Sequence, residues 1–131
     1  MTSGTSPRSP FLVVLDVDST LIEDEVIELI ADYAGVTAEV AEVTERAMAG
    51  ELNFEESLRH RVALLEGVSS TDVASVVDRV VVTHGVPELI AGVHAAGGSI
   101  AAVSGGFHEI LDELAERLGL DRWRANRCEV V

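Results

Sequence analysis

The chain has 131 residues, of which 47% are hydrophobic and only 4% aromatic, so its core must consist mainly of Val, Leu, Ile and Ala. Nine basic residues, all of them Arg, stand against 23 acidic ones and give a formal net charge of −14. This balance argues against nucleic acids and anionic membranes as partners, because both require a positive protein surface. An anionic ligand would need local compensation by a metal ion, an Arg or a helix N-terminus.

The cysteine count and the apolar runs indicate the cellular setting. The single cysteine, Cys128, excludes an internal disulfide and fits a reducing compartment. No apolar run approaches the length of a membrane span, and the run at residues 11–15 ends at Asp16. Residues 1–10 are small and polar with two prolines, which favours a disordered leader. We therefore expect a soluble, cytoplasmic protein.

The first half of the chain predicts one strand followed by helices. Residues 11–15 (FLVVL) form a continuous apolar run, typical of a strand buried on both faces of a parallel sheet. Helical periodicity then extends over residues 22–84. Four short helices are predicted there: one striped by residues 26–33 and ended by Gly35, one over 37–50, one capped by Asn53 with Glu56, and one that follows Ser69 and ends near residue 82.

The second half alternates helices and strands. Pro87 and Gly97 bracket a helix, and residues 99–103 form a second buried strand. A helix from Phe107 to Gly119 and a third strand at 124–131 follow. This order indicates a doubly wound, Rossmann-like α/β fold with a parallel sheet. Residues 11–21 and 85–131 would form the core, and residues 22–84 a helical cap inserted after the first strand.

Two acidic residues follow the first predicted strand. Asp16 and Asp18 are two positions apart and would point to one side if the extended geometry continues. Their repulsion, roughly 4 kcal/mol at an effective dielectric constant near 20, would be relieved by a cation such as Mg²⁺. The alternative is that these residues only cap the next helix.

A glycine-rich segment follows the second predicted strand. Ser104, Gly105 and Gly106 precede a helix, whose N-terminal N–H groups can bind an anion. A simple glycine turn is the alternative. Because adjacent parallel strands end side by side, the acid pair and this segment together indicate a phosphoryl-transfer site.

Five segments carry a resemblance to a known family. They are DVDST at 16–20, AMAGELNF at 47–54, SLRHR at 57–61, SGGF at 104–107 and ANR at 125–127. Together they resemble the phosphoserine phosphatase subfamily of the haloacid dehalogenase superfamily, over residues 11–131. The resemblance implies Mg²⁺-dependent hydrolysis of O-phospho-L-serine through an aspartyl-phosphate, as the last step of serine biosynthesis.

The resemblance also implies roles for individual core residues. Asp16 would be the nucleophile, and Asp18 the general acid and base. Mg²⁺ would be held by the Asp16 carboxylate and the Asp18 backbone carbonyl. Ser104 and the Gly105 N–H would bind the phosphoryl oxygens.

Four cap residues would bind or enclose the substrate. By the resemblance, Glu25 would bind its amine, Arg61 its carboxylate, and Met48 and Phe54 would close over the pocket. By pattern alone, Glu25 and Arg61 would be solvated residues on helix surfaces, and Met48 and Phe54 would belong to the core.

Two features of the family are not found in the sequence. The chain has no lysine to secure the phosphoryl group, and it has no later GDxxND-type loop with a further metal-binding aspartate. We therefore expect an incomplete sheet, an open strand edge at residues 11–15 that favours self-association, and little turnover by these residues alone.

Three other functions remain open. The chain could be a non-catalytic fragment that associates through its strand edge. It could be a phosphate-accepting signalling domain, although such domains usually need a Lys and an acceptor Asp after a later strand. It could also be a phosphatase for another small phosphomonoester.

Overall fold

A computed structural model describes residues 10–128 of the chain. The predicted disordered leader therefore lies outside the described residues, except for Pro10. The regular elements in chain order are β1 (Leu12–Asp16), α1 (Val26–Ala34), α2 (Thr37–Met48), α3 (Phe54–Leu64), α4 (Ser70–Arg79), α5 (Val86–Ala95), β2 (Ser99–Phe107), α6 (His108–Leu118) and β3 (Arg122–Asn126). They divide into a core unit, described over residues 10–23 and 82–128, and a helical unit of residues 24–81.

The core unit contains a three-stranded parallel sheet in the order β1-β2-β3. Helices α5 and α6 contact this sheet, and Ile100 and Ala102 of β2 are completely buried. Strand–helix–strand connections of this kind bring the carboxyl ends of neighbouring strands to one edge of the sheet. The predicted α/β fold class is confirmed.

Strand β1 differs from its prediction in burial. Leu12 and Val14 are 55% and 52% exposed, and Val103 of β2 is 48% exposed. The register pairs Val14 with Ala101 and Asp16 with Val103, so these residues lie on one face of the sheet. The expectation that β1 is buried on both faces is wrong for the described residues, because the helices of the core unit leave this face uncovered.

Strand β3 begins earlier than predicted. Gly119 ends α6 in the left-handed conformation, and the Asp121 N–H then donates to the Ile100 carbonyl at 2.9 Å. Pairing with β2 consequently starts at Arg122 instead of Arg124. The predicted strand extended to residue 131, but residues 129–131 lie outside the described part of the chain.

The four helices of the helical unit begin and end close to their predicted positions. Gly35 ends α1 in the left-handed conformation. Asn53 and Glu56 form the reciprocal capping box at the start of α3, and the Ser69 hydroxyl accepts the Asp72 N–H at the start of α4. Within residues 10–128, every helix is too short or too polar to cross a membrane.

Candidate active site

Asp16 is the last residue of β1, at the edge of the sheet where the parallel strands end. It pairs with Val103 of β2, so the end of β1 lies beside the part of β2 that directly precedes Ser104. Its Oδ1 accepts the backbone N–H of Val17 at 2.8 Å, which fixes the carboxylate against its own backbone. The remaining oxygen, Oδ2, is then the one that can act on a ligand.

Asp18 lies in a wide turn of residues Val17–Leu21 that follows β1. The Ile22 N–H donates to the Val17 carbonyl at 3.1 Å across this turn. Asp18 keeps an extended backbone, with φ −60° and ψ 130°, whereas Ser19 has φ 57°. Ser19 is the only residue other than glycine with a positive φ in the described chain. Strained backbone of this kind concentrates at functional sites, which favours the catalytic interpretation of the turn over simple helix capping.

Ser104, Gly105 and Gly106 form a bulge near the end of β2. The β2–β3 register is interrupted between Val103 and Phe107. The Ser104 Oγ accepts the Gly106 N–H at 2.8 Å, so the hydroxyl proton remains for a ligand oxygen. A Cβ at position 106 would lie 3.0 Å from this Oγ, and a glycine there permits the close approach. The segment is an irregular strand end, and α6 begins only at His108.

The donor set near Asp16 suits a magnesium ion that keeps most of its water ligands. Within residues 10–128, no three His, Cys, Asp or Glu side chains gather into a metal-binding group. Mg²⁺ is commonly held by one or two carboxylates together with waters and substrate phosphate oxygens. The Asp16 carboxylate and the backbone carbonyl of Asp18 are oxygen ligands of this kind, so the residues present fit the ion.

The helical unit contains a cavity of about 310 Å³ that includes three of the predicted substrate residues. Met48 ends α2 and is 86% exposed, and Phe54 begins α3 and is 61% exposed. This exposure excludes the interpretation of Met48 and Phe54 as core residues of the helical unit. The full lining is Thr44, Ala47, Met48, Leu52, Phe54, Ser57 and Arg61.

Arg61 and Glu25 occupy different positions in the helical unit. Arg61 is half-buried in the last turn of α3, and its Nε–H donates to the Ser57 carbonyl at 3.3 Å. Glu25 is exposed at the N-cap position of α1 and does not cap the helix with its side chain. It does not line the cavity that Arg61 shares with Met48 and Phe54.

Three residues near these sites have roles that pattern reasoning did not identify. Ser57 lines the cavity while its residue is only 2% exposed, and its Oγ has no hydrogen-bond partner among the described residues. In the core unit, Asn126 Nδ2 donates to the Gly105 carbonyl and His108 Nε2 accepts the Ala125 N–H, both at 3.0 Å. Ser57 and Asn126 lay within segments already noted in the sequence, residues 57–61 and 125–127, whereas His108 did not.

Comparison with known proteins agrees with this geometry. A haloacid dehalogenase-like hydrolase model matches residues 12–130. The phosphoserine phosphatase of Streptococcus thermophilus is 48% identical over 92% of this chain and 56% of its own length. That of Streptomyces coelicolor is 51% identical over 98% of this chain and 32% of its own length.

Solved structures show the same similarity. A phospho-aspartyl intermediate analogue of phosphoserine phosphatase superposes with a TM-score of 0.86 at 42% identity, covering 95% of this chain and 59% of that one. A substrate-bound phosphoserine phosphatase complex gives 0.87 at 41% identity, covering 95% and 60%. This chain spans about half the length of several of the curated relatives it matches, and a third of another. It belongs to the haloacid dehalogenase-like hydrolase family.

Proposed function

We propose that this chain carries the catalytic core of a Mg²⁺-dependent phosphatase that hydrolyses O-phospho-L-serine. The observation that carries the proposal is the pairing of Asp16 with Val103, the residue that precedes the Ser104–Gly106 bulge. A carboxylate nucleophile thereby lies beside a segment that offers a hydroxyl proton and backbone N–H groups to a phosphoryl oxygen. Relatives of this chain are named phosphoserine phosphatases.

The reaction proceeds in two displacements at phosphorus. Asp16 Oδ2 attacks, an aspartyl-phosphate forms, and the bond to the serine oxygen breaks while Asp18 protonates that oxygen. A water then attacks the aspartyl-phosphate and passes its proton to the Asp18 carboxylate, which releases inorganic phosphate and restores Asp16. Ser104 Oγ–H and the Gly105 N–H donate to the phosphoryl oxygens throughout.

The Asp16 carboxylate and the Asp18 carbonyl would hold Mg²⁺. When bound, the ion supplies positive charge that offsets repulsion between the phosphoryl group and the carboxylates. This matters in a chain with net charge −14 and no lysine. We expect slow turnover by the 131 residues alone, because they contain no lysine that could neutralise the transferring phosphoryl group.

The helical unit supplies substrate selectivity in this proposal. Arg61 binds the substrate carboxylate, and Glu25 binds its ammonium group. The exposed side chains of Met48 and Phe54 cover the substrate and exclude water. A cavity of about 310 Å³ lined by Met48, Phe54 and Arg61 suits a small amino-acid ester better than a peptide. A different small phosphomonoester is the alternative substrate.

A phosphorylation assay tests the nucleophile even if turnover is slow. The chain is incubated with L-phosphoserine and Mg²⁺, quenched in acid and digested, and the phosphorylated residue is located by mass spectrometry. We expect a label on Asp16 that Asp16→Asn abolishes. Asp72→Asn, which changes a half-buried acid in the first turn of α4, should leave the label intact. A label on a residue other than Asp16 would contradict the proposal. A chain that neither becomes labelled nor releases phosphate would contradict it as well.

The position of β1 at the edge of the sheet favours a second proposal, that the chain self-associates. In the sheet of residues 10–128, β1 is an edge strand, so its outer backbone groups can pair with a second copy. Its Leu12 and Val14 side chains are also half exposed. We expect sedimentation to show dimers whose fraction rises with concentration and falls in Val14→Lys. Val81→Lys, at an apolar position of the helical unit with similar exposure, is the control and should keep the dimer. A monomer at all concentrations would refute this proposal.

A further inference from the structure

Two extra residues of β2 are accommodated where its pairing with β3 is interrupted. The register runs from Ala101 opposite Arg122 to Val103 opposite Arg124, and resumes with Phe107 opposite Asn126. Residues 104–107 of β2 therefore face only residues 125–126 of β3. An interruption of this kind leaves backbone donors and acceptors without their partners in the sheet.

Side chains take the place of the lost sheet hydrogen bonds. The Asn126 amide donates from Nδ2 to the Gly105 carbonyl at 3.0 Å, and the Ser104 Oγ accepts the Gly106 N–H at 2.8 Å. The Gly105 carbonyl and the Gly106 N–H belong to the same peptide unit. This unit is thus held at both ends, by one side chain from β3 and one from the bulge itself.

The end of β3 from which Asn126 acts is itself fixed. The His108 Nε2 accepts the Ala125 N–H at 3.0 Å, and its Nδ1 lies in hydrogen-bond contact with Asp112 Oδ1 at 2.7 Å. Trp123 Nε1 donates to the same oxygen at 2.9 Å. Burial raises the pKa of Asp112, but the hydrogen bonds from His108 and Trp123 outweigh it and lower that pKa below its ordinary value.

Glycine flexibility explains why holding the 105–106 peptide in place matters for binding. Two consecutive glycines give the backbone more accessible conformations than any other pair of residues. The Gly105 N–H belongs to the preceding peptide and is joined to the 105–106 peptide through the φ and ψ angles of Gly105, so fixing the 105–106 peptide restricts the directions in which this N–H can point. Fixing the 105–106 peptide therefore removes much of the ordering cost at the moment of binding.

We propose that Asn126 is a positioning residue that holds the Gly105–Gly106 peptide, and through it the Gly105 N–H, in the orientation that binds the phosphoryl group. This inference rests on the proposed function, because it assumes that the bulge binds the phosphoryl group. Asn126 does not contact the substrate. It acts through the backbone of Gly105.

Nuclear magnetic resonance tests the proposal with Asn126→Leu, which keeps the side-chain size but removes the donor. In the ligand-free protein we expect lower amide order parameters at Gly105 and Gly106 in the variant. We further expect the Kd for inorganic phosphate with Mg²⁺, titrated through the same two amide signals, to rise about 3- to 10-fold, as loss of one hydrogen bond predicts.

A matched control separates positioning from general destabilisation. Ser69→Ala also removes a 3.0 Å side-chain hydrogen bond, but at the start of α4 in the helical unit. It should lower the free energy of unfolding without changing the order parameters of Gly105 and Gly106 or the phosphate Kd. Unchanged order parameters and Kd in Asn126→Leu would overturn the proposal.

The two measurements also distinguish the possible failures. Failure of the wild-type chain to bind phosphate would count against the proposed function. The ligand-free order parameters would then still show whether Asn126 holds the Gly105–Gly106 peptide, and unchanged values would overturn that claim too.

Discussion

The Nε–H of Arg61 donates a hydrogen bond of 3.3 Å to the backbone carbonyl of Ser57, one turn earlier in α3. This bond holds the plane of the guanidinium relative to the helix. The terminal nitrogens Nη1 and Nη2 have no ion-pair partner among residues 10–128, and the side chain lines the cavity of the helical unit. Two parallel N–H groups in a fixed plane are suited to a carboxylate.

Replacement of Arg61 by Lys should therefore weaken binding although the charge is kept. A lysine ammonium cannot make both the helix contact and a two-pronged carboxylate contact. We expect the Kd for L-phosphoserine, measured by calorimetry in an Asp16→Asn background that prevents turnover, to rise roughly 10- to 100-fold. Phosphoethanolamine, which has no carboxylate, should lose little affinity.

Arg59 offers the matched control for this substitution. It lies on the same helix, is paired with Glu55 at 2.9 Å and is largely exposed. Arg59→Lys should leave both Kd values unchanged. If Arg61→Lys lowered the affinity for L-phosphoserine and for phosphoethanolamine equally, Arg61 would not bind the substrate carboxylate.

The capping box of α3 should contribute measurably to the stability of the helical unit. Asn53 Oδ1 accepts the Glu56 N–H at 2.8 Å, and Glu56 Oε1 accepts the Asn53 N–H at 3.0 Å. Asn53→Ala removes the first of these bonds and should lower the free energy of unfolding by about 1 kcal/mol in urea titration. Asn53→Asp, which keeps an acceptor at the helix N-terminus, should retain most of the stability. Similar losses in both variants would contradict the capping role.

Local sequence was sufficient to predict the ends of helices that have their own capping or terminating residues. Gly35, Asn53 and Ser69 mark helix ends by mechanisms that act within a few residues, and the corresponding ends were predicted closely. Strand β3 was misplaced because its sequence RWRAN lacks an apolar run. Its start depends instead on the contact between Asp121 and Ile100, two residues far apart in the chain.

In the candidate site, too, some residues could be predicted from local sequence, and others depend on contacts between distant parts of the chain. Asp16 and Ser104 follow recognisable apolar runs, so their position near the carboxyl ends of β1 and β2 could be predicted. The hydrogen bond from Asn126 to the Gly105 carbonyl could not be predicted, because it forms only where the pairing of β2 with β3 is interrupted. The exposure of Met48 likewise depends on which neighbours the helices bring together, and pattern alone assigned it to the core.

Cys128 should be an unreactive thiol. Burial, together with the nearby negative charge of Glu109, raises the pKa of Cys128 from 9.0 to about 11. At pH 8 the thiolate fraction is then about 100-fold lower than for a thiol with the ordinary value. Alkylation by iodoacetamide should be correspondingly slow and should accelerate about tenfold per pH unit up to pH ~11.

Two comparisons check the origin of this low reactivity. The chain unfolded in urea should react at the rate of an ordinary thiol. Glu109→Gln should raise the rate in the folded protein by removing the charge. A folded chain that reacts as fast as the unfolded one at pH 8 would show that Cys128 is accessible and unperturbed.

Asp121 should stabilise the core unit in a pH-dependent manner. Its Oδ2 accepts the Ile100 N–H at 2.8 Å and lies 2.7 Å from His94 Nε2. The backbone hydrogen bond from Ile100, followed by the contact with His94, lowers the pKa of Asp121 below its ordinary value of 3.8. The folded state therefore binds this proton less readily than the unfolded state. The resulting stabilisation is present above pH 3.8 and is lost as the pH falls through the lower pKa of the folded state.

Urea unfolding of wild type and Asp121→Asn at a series of pH values tests this. The wild-type chain should be the more stable one near neutral pH, and the difference between the two should shrink as the solution is acidified below pH 3.8. Glu116→Gln, an exposed position on α6, controls for the change in net charge and should show no such convergence. If the difference stayed constant or grew on acidification, the stabilisation by Asp121 would not depend on its ionised carboxylate.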